Sequence, residues 1–361
     1  MNYRTATILA QETQDADITK VIDLNIVDPI SQIQVIYCPL NAAEALPDGH
    51  PAECVTKIEL VDGSDVLYSL SGKEAQALDF YHNKWQPHNL LFYINGVASR
   101  MTYNMNFGRF LWDPLLALDP GKFSNLQLKI SIDINAGGCT AAEGHLAVLG
   151  HIFDEKRIVP TGFLMSKEIK DYTLAASGHE YTDLPTDYPI RKLCIRGQVE
   201  GTDLYSVFSN IKVSEDNDKR VPFDLPFDQI MEAMVAQTPL YRESYLTHGA
   251  TAGRYYFHTP CHLGRMTASR GDNAAAGGDA WAWDTGGGRS NVFSSIAGRN
   301  VNVYVDGWCP HGVISIPFGD QKDLADWYDV TKVGTVRLDV TAGSGMSSSQ
   351  SMQVFLQQLR T

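Results

Sequence analysis

The sequence predicts an all-β chain built as two tandem antiparallel β-sandwiches with a few short helices. Three observations predict it: short runs in which apolar and polar residues alternate, the scarcity of helical periodicity between them, and a duplication of the whole pattern. Many short strands set apart by turn residues indicate a sandwich or barrel, whereas strands alternating with helices would indicate a parallel sheet.

The alternation comes first because a period of two puts every apolar residue on one face of a strand. Ile22-Asp23-Leu24-Asn25-Ile26 has it, and Gln32-Ile33-Gln34-Val35 resumes it after the Asp28-Pro29 break. Further strands are predicted at Lys57 to Leu60, Leu126 to Ile130 and His145 to Leu149. Later ones follow at Lys192 to Arg196, Asn210 to Val213, Asn302 to Val305, Val313 to Ile316, Val336 to Val340 and Met352 to Leu356.

Helical periodicity is confined to two places. From about Pro226 to Gln237, Phe227, Ile230, Met231, Met234 and Val235 form one apolar stripe. Asp224 is the expected N-cap, and Pro226 suits the first turn, where its missing N–H costs nothing. A second, weaker helix is predicted over Lys73 to Tyr81.

The duplication decides the architecture. Asp119-Pro-Gly-Lys122-Phe-Ser-Asn-Leu126-Gln-Leu128-Lys-Ile130 parallels Asp329-Val-Thr-Lys332-Val-Gly-Thr-Val336-Arg-Leu338-Asp-Val340 at an offset of 210. Phe107-Gly108 answers Phe318-Gly319. Asp28-Pro29-Ile30 through Val35 parallels Tyr188-Pro189-Ile190 through Ile195, at 160, and Ile58 to Asp62 parallels Ile211 to Glu215, at 153. The blocks keep their order, which predicts two copies of one domain. The expected division is residues 1–178 and 179–361, in the polar stretch from Ser177 to Thr186. The second copy carries the main insertion, about 263–300. Its Gly- and Ala-rich composition predicts an exposed loop, anchored by Trp281 and Trp283 and packing on a neighbouring subunit.

The 361 residues suffice for two domains, and 44% hydrophobic with 20% charged residues is an ordinary globular composition. The net charge of −13 repels phosphate and argues against direct or sequence-specific binding of nucleic acid. Cys38, Cys54, Cys139, Cys194, Cys261 and Cys309 are scattered without a CxxC, so free thiols are expected. The N-terminus lacks a long apolar h-region, and no run approaches the ~20 apolar residues of a membrane span.

The segments Ile22 to Ile33, Lys57 to Gly72, Phe107 to Arg109, Leu118 to Leu128, Tyr188 to Leu193 and Ser209 to Asp224 resemble double jelly-roll major capsid proteins. These form the shells of tailless icosahedral viruses, among them bacteriophages, often over an inner viral membrane. The resemblance covers most of the chain apart from the insertion. It implies two eight-stranded jelly rolls and a homotrimer of pseudo-hexagonal outline. Its partners would be neighbouring capsomers and penton or minor capsid proteins. It places the protein in the virion after synthesis in the host cytoplasm, as a structural protein rather than an enzyme. It brings no catalytic residue, cofactor or metal. The rival readings are a carbohydrate-active hydrolase and a lectin-like module on the same two sandwiches, the latter with calcium or a Trp281/Trp283 platform. A minor shell or spike protein is a variant of the capsid reading.

The residues themselves offer little other chemistry. His258, Cys261, His262, Cys309 and His311 are N and S donors of the kind zinc takes, but their spacing matches no compact finger. His145 with His151, and His82 with His88, lack the HxH spacing of a cupin-type metal centre. Asp62 with Asp65, and Glu215 with Asp216 and Asp218, read as turn-closing carboxylates rather than an acid–base pair or a calcium loop. Gly286-Gly287-Gly288 reads as flexible loop rather than a phosphate cradle, and Arg270-Gly271-Asp272 as a chance tripeptide.

Overall fold

A computed structural model describes residues 2–41, 48–139, 143–156, 158–270, 278–347 and 349–361. The chain runs through β1 (Tyr3–Gln14), β2 (Ile18–Asp23), β3 (Ile30–Pro39), β4 (Val55–Asp62), β5 (Asp65–Leu70), α1 (Gly72–Asn83), β6 (Leu91–Tyr93), β7 (Met101–Asn106), β8 (Leu126–Ile132) and β9 (Gly144–Phe153). It continues through β10 (Phe163–Thr173), β11 (His179–Leu184), β12 (Ile190–Gly197), α2 (Leu204–Val207), β13 (Phe208–Glu215), β14 (Arg220–Pro226) and α3 (Phe227–Val235). The last stretch is β15 (Tyr241–His248), β16 (Arg254–Phe257), β17 (Pro260–Arg270), β18 (Ala280–Gly286), β19 (Arg289–Ser294), β20 (Asn300–Pro310), β21 (Val313–Pro317), β22 (Val336–Ala342) and β23 (Ser351–Arg360).

Sixteen of these strands make two sandwiches. Sheets β1-β9-β3-β7 and β2-β8-β4-β5 belong to the first, and β10-β23-β12-β21 and β11-β22-β13-β14 to the second. The alternation read from the sequence is the burial pattern: along β8, Leu126, Leu128, Ile130 and Ile132 are buried and the residues between are half-buried. Apolar residues of both sandwiches join one core cluster.

The duplication holds at the level of register. Ile58 faces Ile130 and Leu60 faces Leu128 between β4 and β8; Ile211 faces Val340 and Val213 faces Leu338 between β13 and β22. Offsets of 153 and 210 carry one set onto the other. Asp119 and Asp329 cap equivalent turns, accepting from the Gly121 and Thr331 amides at 3.1 and 3.2 Å. The acidic turns match too: Asp62 Oδ1 accepts from the Asn125 amide at 2.6 Å, and Asp216 Oδ1 from the Thr335 amide at 3.0 Å.

Two strands with little sequence likeness also correspond. Thr7 faces Leu149 and then, past a bulge, Leu9 faces Val148; Glu168 faces Phe355 and, past the same bulge, Lys170 faces Val354. β10 is therefore the second copy of β1, displaced by 161 residues. The division expected at 178/179 falls between β10 and β11, both of which pair with strands of the second sandwich.

Three expectations differ in detail. Strand β2 ends at Asp23, so Ile26 lies beyond it. Asp224 belongs to β14 and accepts from Asn210 Nδ2 at 2.9 Å, while Pro226 takes the N-cap position of α3 without a side-chain bond. The 263–300 insertion is sheet rather than loop where it is described. Strand β17 pairs with β20 in the order β17-β20-β15-β6, and β16-β19-β18 form a further small sheet. The Gly286–Gly288 turn joining β18 to β19 has positive φ throughout and is packed: a Cβ on Gly287 would meet the Val199 carbonyl at 2.1 Å. Of the Arg270-Gly271-Asp272 tripeptide, Gly271 and Asp272 lie outside the described residues.

Candidate assembly surface

The two sandwiches meet edge to edge. Strands β5 and β10 run parallel, with Tyr68 opposite Ser166 and Ser69 opposite Lys167, which fuses two four-stranded sheets into one of eight. Helix α1 seals the joint. It starts there because Ser71 and Glu74 form a capping box: the Ser71 amide donates to Glu74 Oε2 at 2.8 Å, and the Glu74 amide to Ser71 Oγ at 3.4 Å. The Ser-x-x-Glu spacing was available in the sequence and was missed.

From α1, Tyr81 Oη donates to the Val313 carbonyl at 2.7 Å, and Arg191 Nη1 donates to His82 Nδ1 at 2.8 Å. Lys192 Nζ donates to the Tyr81 carbonyl at 3.3 Å. On the other side of the joint Arg360 forks onto Asp65 at 3.0 and 2.5 Å. Burial pulls the Arg191 guanidinium down to about 10 and holds the His82 imidazole well below its usual range. Burial, helped by the nearby Glu168 carboxylate, pushes Glu74 up to about 7.

Among the described residues, the same two kinds of edge recur without a further strand beside them at the far ends of the sheets. Strand β1 closes one sheet and β14 another. Asn2, Tyr3, Arg4 and Thr5 are exposed, whereas their second-copy counterparts Phe163, Leu164, Met165 and Ser166 are buried at the joint. On β14, Val221 is exposed and Phe223 and Leu225 half-buried, while the matching Tyr68 and Leu70 of β5 are buried. Pro222 and Pro226 lack N–H donors, which suits an edge and limits how far it can pair.

Beside the outer face of β3 and β7 lies a cleft of about 940 Å³. Its floor is an amide ladder around a buried carboxylate: Asp79 accepts from Asn83, Asn104 and Asn106 at 2.6, 2.9 and 2.7 Å. Gln32 and Gln34 donate in turn to Asn106 and Asn104. Burial pushes Asp79 up to about 6 against the opposing pull of the three amides. Trp85, 72% exposed, stands on the rim with the exposed Leu90, Leu111 and Tyr304.

The residues singled out for chemistry are dispersed. His258 Nδ1 bonds the Pro260 carbonyl at 2.8 Å, His311 Nε2 bonds Gln76 at 2.9 Å, and Cys309 Sγ lies 3.5 Å from Met231 Sδ. Cys261 Sγ points to the Thr259 carbonyl at 3.7 Å, and His262 packs its ring against Tyr205 and Trp308. Among the described residues no three His, Cys, Asp or Glu side chains gather as a metal site would need. His145 and His151 bond Thr13 and Thr5 across β1 and β9. The acidic turns are occupied with backbone amides and with Lys212, Arg220 and Arg360. All six cysteines are free thiols. Trp281 stacks on Phe293 with ring centroids 4.0 Å apart, and it and Trp283 remain 43% and 45% exposed. Among the described residues no helix is long and apolar enough to cross a membrane.

No family model and no curated protein matches the sequence. Solved structures do match. The major capsid protein of Sulfolobus turreted icosahedral virus superposes with a TM-score of 0.61 at 12% identity, covering 99% of this chain and 96% of that one. The major capsid protein P2 of bacteriophage PM2 gives 0.56 at 10% identity over 99% and 98%. VP54 of PBCV-1 gives 0.58 at 10% identity over 99% and 94%. Over nearly its full length, this chain has the fold of the double jelly-roll major capsid proteins.

Proposed function

We propose that the chain is a major capsid protein: the structural subunit of an icosahedral virus shell, acting by assembly and without catalysis, as a homotrimer of pseudo-hexagonal outline. The observation that carries this is the fusion of two register-matched sandwiches, edge to edge, in the fold of viral major capsid proteins. A shell subunit needs several similar lateral faces, and two copies of one domain supply them from a single chain. We place the division between the copies in residues 154–162, between β9 and β10. The partners would be further copies, penton or minor capsid proteins, and an inner membrane where the virus has one. The protein would reside in the virion after synthesis in the host cytoplasm.

The test is size-exclusion chromatography with light scattering, followed by negative-stain imaging. The expected species is three chains of 39.9 kDa, about 120 kDa, with a hexagonal outline. A monomer of about 40 kDa under all conditions would overturn the reading.

A further inference from the structure

The joint between the two sandwiches is a template for the contact between subunits. Strand β14 stands to the second sandwich as β5 does to the first, because Leu60 faces Tyr68 and Val213 faces Phe223. Strand β1 is the counterpart of β10 at the 161-residue offset. Inside the chain β5 and β10 are paired, while β14 and β1 are left at sheet edges. We propose that β14 of one copy adds in parallel to β1 of the next, with Phe223 opposite Thr5 and Asp224 opposite Ala6. This rests on the capsid reading and specifies its contact.

Three observations support a second copy as the occupant. The internal joint uses only two residue pairs, so the short stretch that Pro222 and Pro226 leave on β14 suffices. The residues that the joint buries on β10 are the ones exposed on β1. The helix follows the same rule. Tyr81 and His82 of α1 press on Lys192 and Arg191, whereas the equivalent Ala236 and Gln237 beyond α3 are exposed. The counterparts of Arg191 and Lys192 are Ser31 and Gln32, and Gln32 lies on the floor of the amide-lined cleft. Ser31 is covered by its own chain, accepting from the Trp112 amide at 2.8 Å, so the end of a neighbour's α3 would lie over the Gln32 side of that cleft.

Such a contact joins unlike surfaces, so it must close into a ring or grow into a filament. With two sandwiches per chain and a trimer, six similar joints close the ring: three within chains and three between them.

The experiment is a double variant, Ala6→Cys with Asp224→Cys, treated with a short bis-maleimide and run on a denaturing gel, beside light scattering of the same sample. Both changes are at the surface edge of a strand. Covalent dimers and trimers that stop at three, absent from either single variant, are expected. A ladder continuing past three would overturn ring closure, and a ladder from either single variant would overturn the residue assignment. No ladder from protein that scatters as a trimer would overturn the β14–β1 contact and leave the capsid reading standing. No ladder from protein that remains monomeric would overturn both.

Discussion

Asp79 shows what one buried carboxylate does in this fold. It is 2% exposed, yet three asparagine amides converge on it, and two glutamines of β3 extend the ladder. Removing it leaves the amides of the half-buried Asn104 and Asn106 without their acceptor, at about 1 kcal/mol, the low end for such loss because water reaches them in part. Asp79→Ala should therefore lower the free energy of unfolding from urea titration by that amount, while an Ala change at exposed Asp183 leaves it nearly unmoved. Glu74 makes a pH-dependent prediction. Its folded pKa of about 7 lies above the ordinary value of 4.5, so the folded state binds the proton more tightly. The protein should lose stability as pH rises from about 4.5 to 7, with no further change from this group above that. Glu74→Gln keeps an oxygen to accept the Ser71 amide and removes the charge. Thermal unfolding across this range should show a shallower fall for the variant, and an unchanged slope would assign the pH dependence elsewhere.

At the scale of elements, strands with clean alternation and the strong stripe of α3 were legible in the sequence, as was the matched order of the repeat blocks. Strand β1 was not. Its sequence, Tyr-Arg-Thr-Ala-Thr-Ile-Leu-Ala, has no strict period of two because one face is an open edge and a bulge shifts the register after Thr7. Without it, the expected boundary lies at the polar stretch after β10, whereas the proposed one lies before it. The insertion misled for a different reason. Glycine and alanine suggested a loop, but Gly286, Gly287 and Gly288 serve a turn whose positive φ and close approach to Val199 exclude a side chain. Gly287→Ala should distort the β18–β19 hairpin, lowering the melting temperature by about 1–2 °C for each kcal/mol lost and changing the fluorescence of Trp281 and Trp283. Unaltered melting and emission would restore the reading of a yielding loop. The assembly surface was the least legible part, since no chemical motif marks it. Only the comparison of equivalent residues, buried in one copy and exposed in the other, points to the surface proposed.

At the scale of the whole molecule, charge opposes association. Each copy carries −13, so the proposed trimer would carry three times −13, or −39, within one particle. In the proposed contact the attraction that would overcome this is short-ranged: strand pairing at an edge and burial of Tyr3, Val221 and Phe223, none of which depends on salt at first order. The repulsion is long-ranged and is screened. Between about 0.01 M and 0.15 M salt the screening length falls from about 30 Å to about 8 Å. Sedimentation at fixed protein concentration should accordingly show the trimer, and larger assemblies of it, gaining population as sodium chloride is raised through this range. Sulfate should act more strongly at equal ionic strength, because it also strengthens apolar burial. If association weakened with added salt instead, ion pairs across the interface would outweigh the net repulsion. The exposed apolar edge of β14 would then be the wrong place to look for the binding energy.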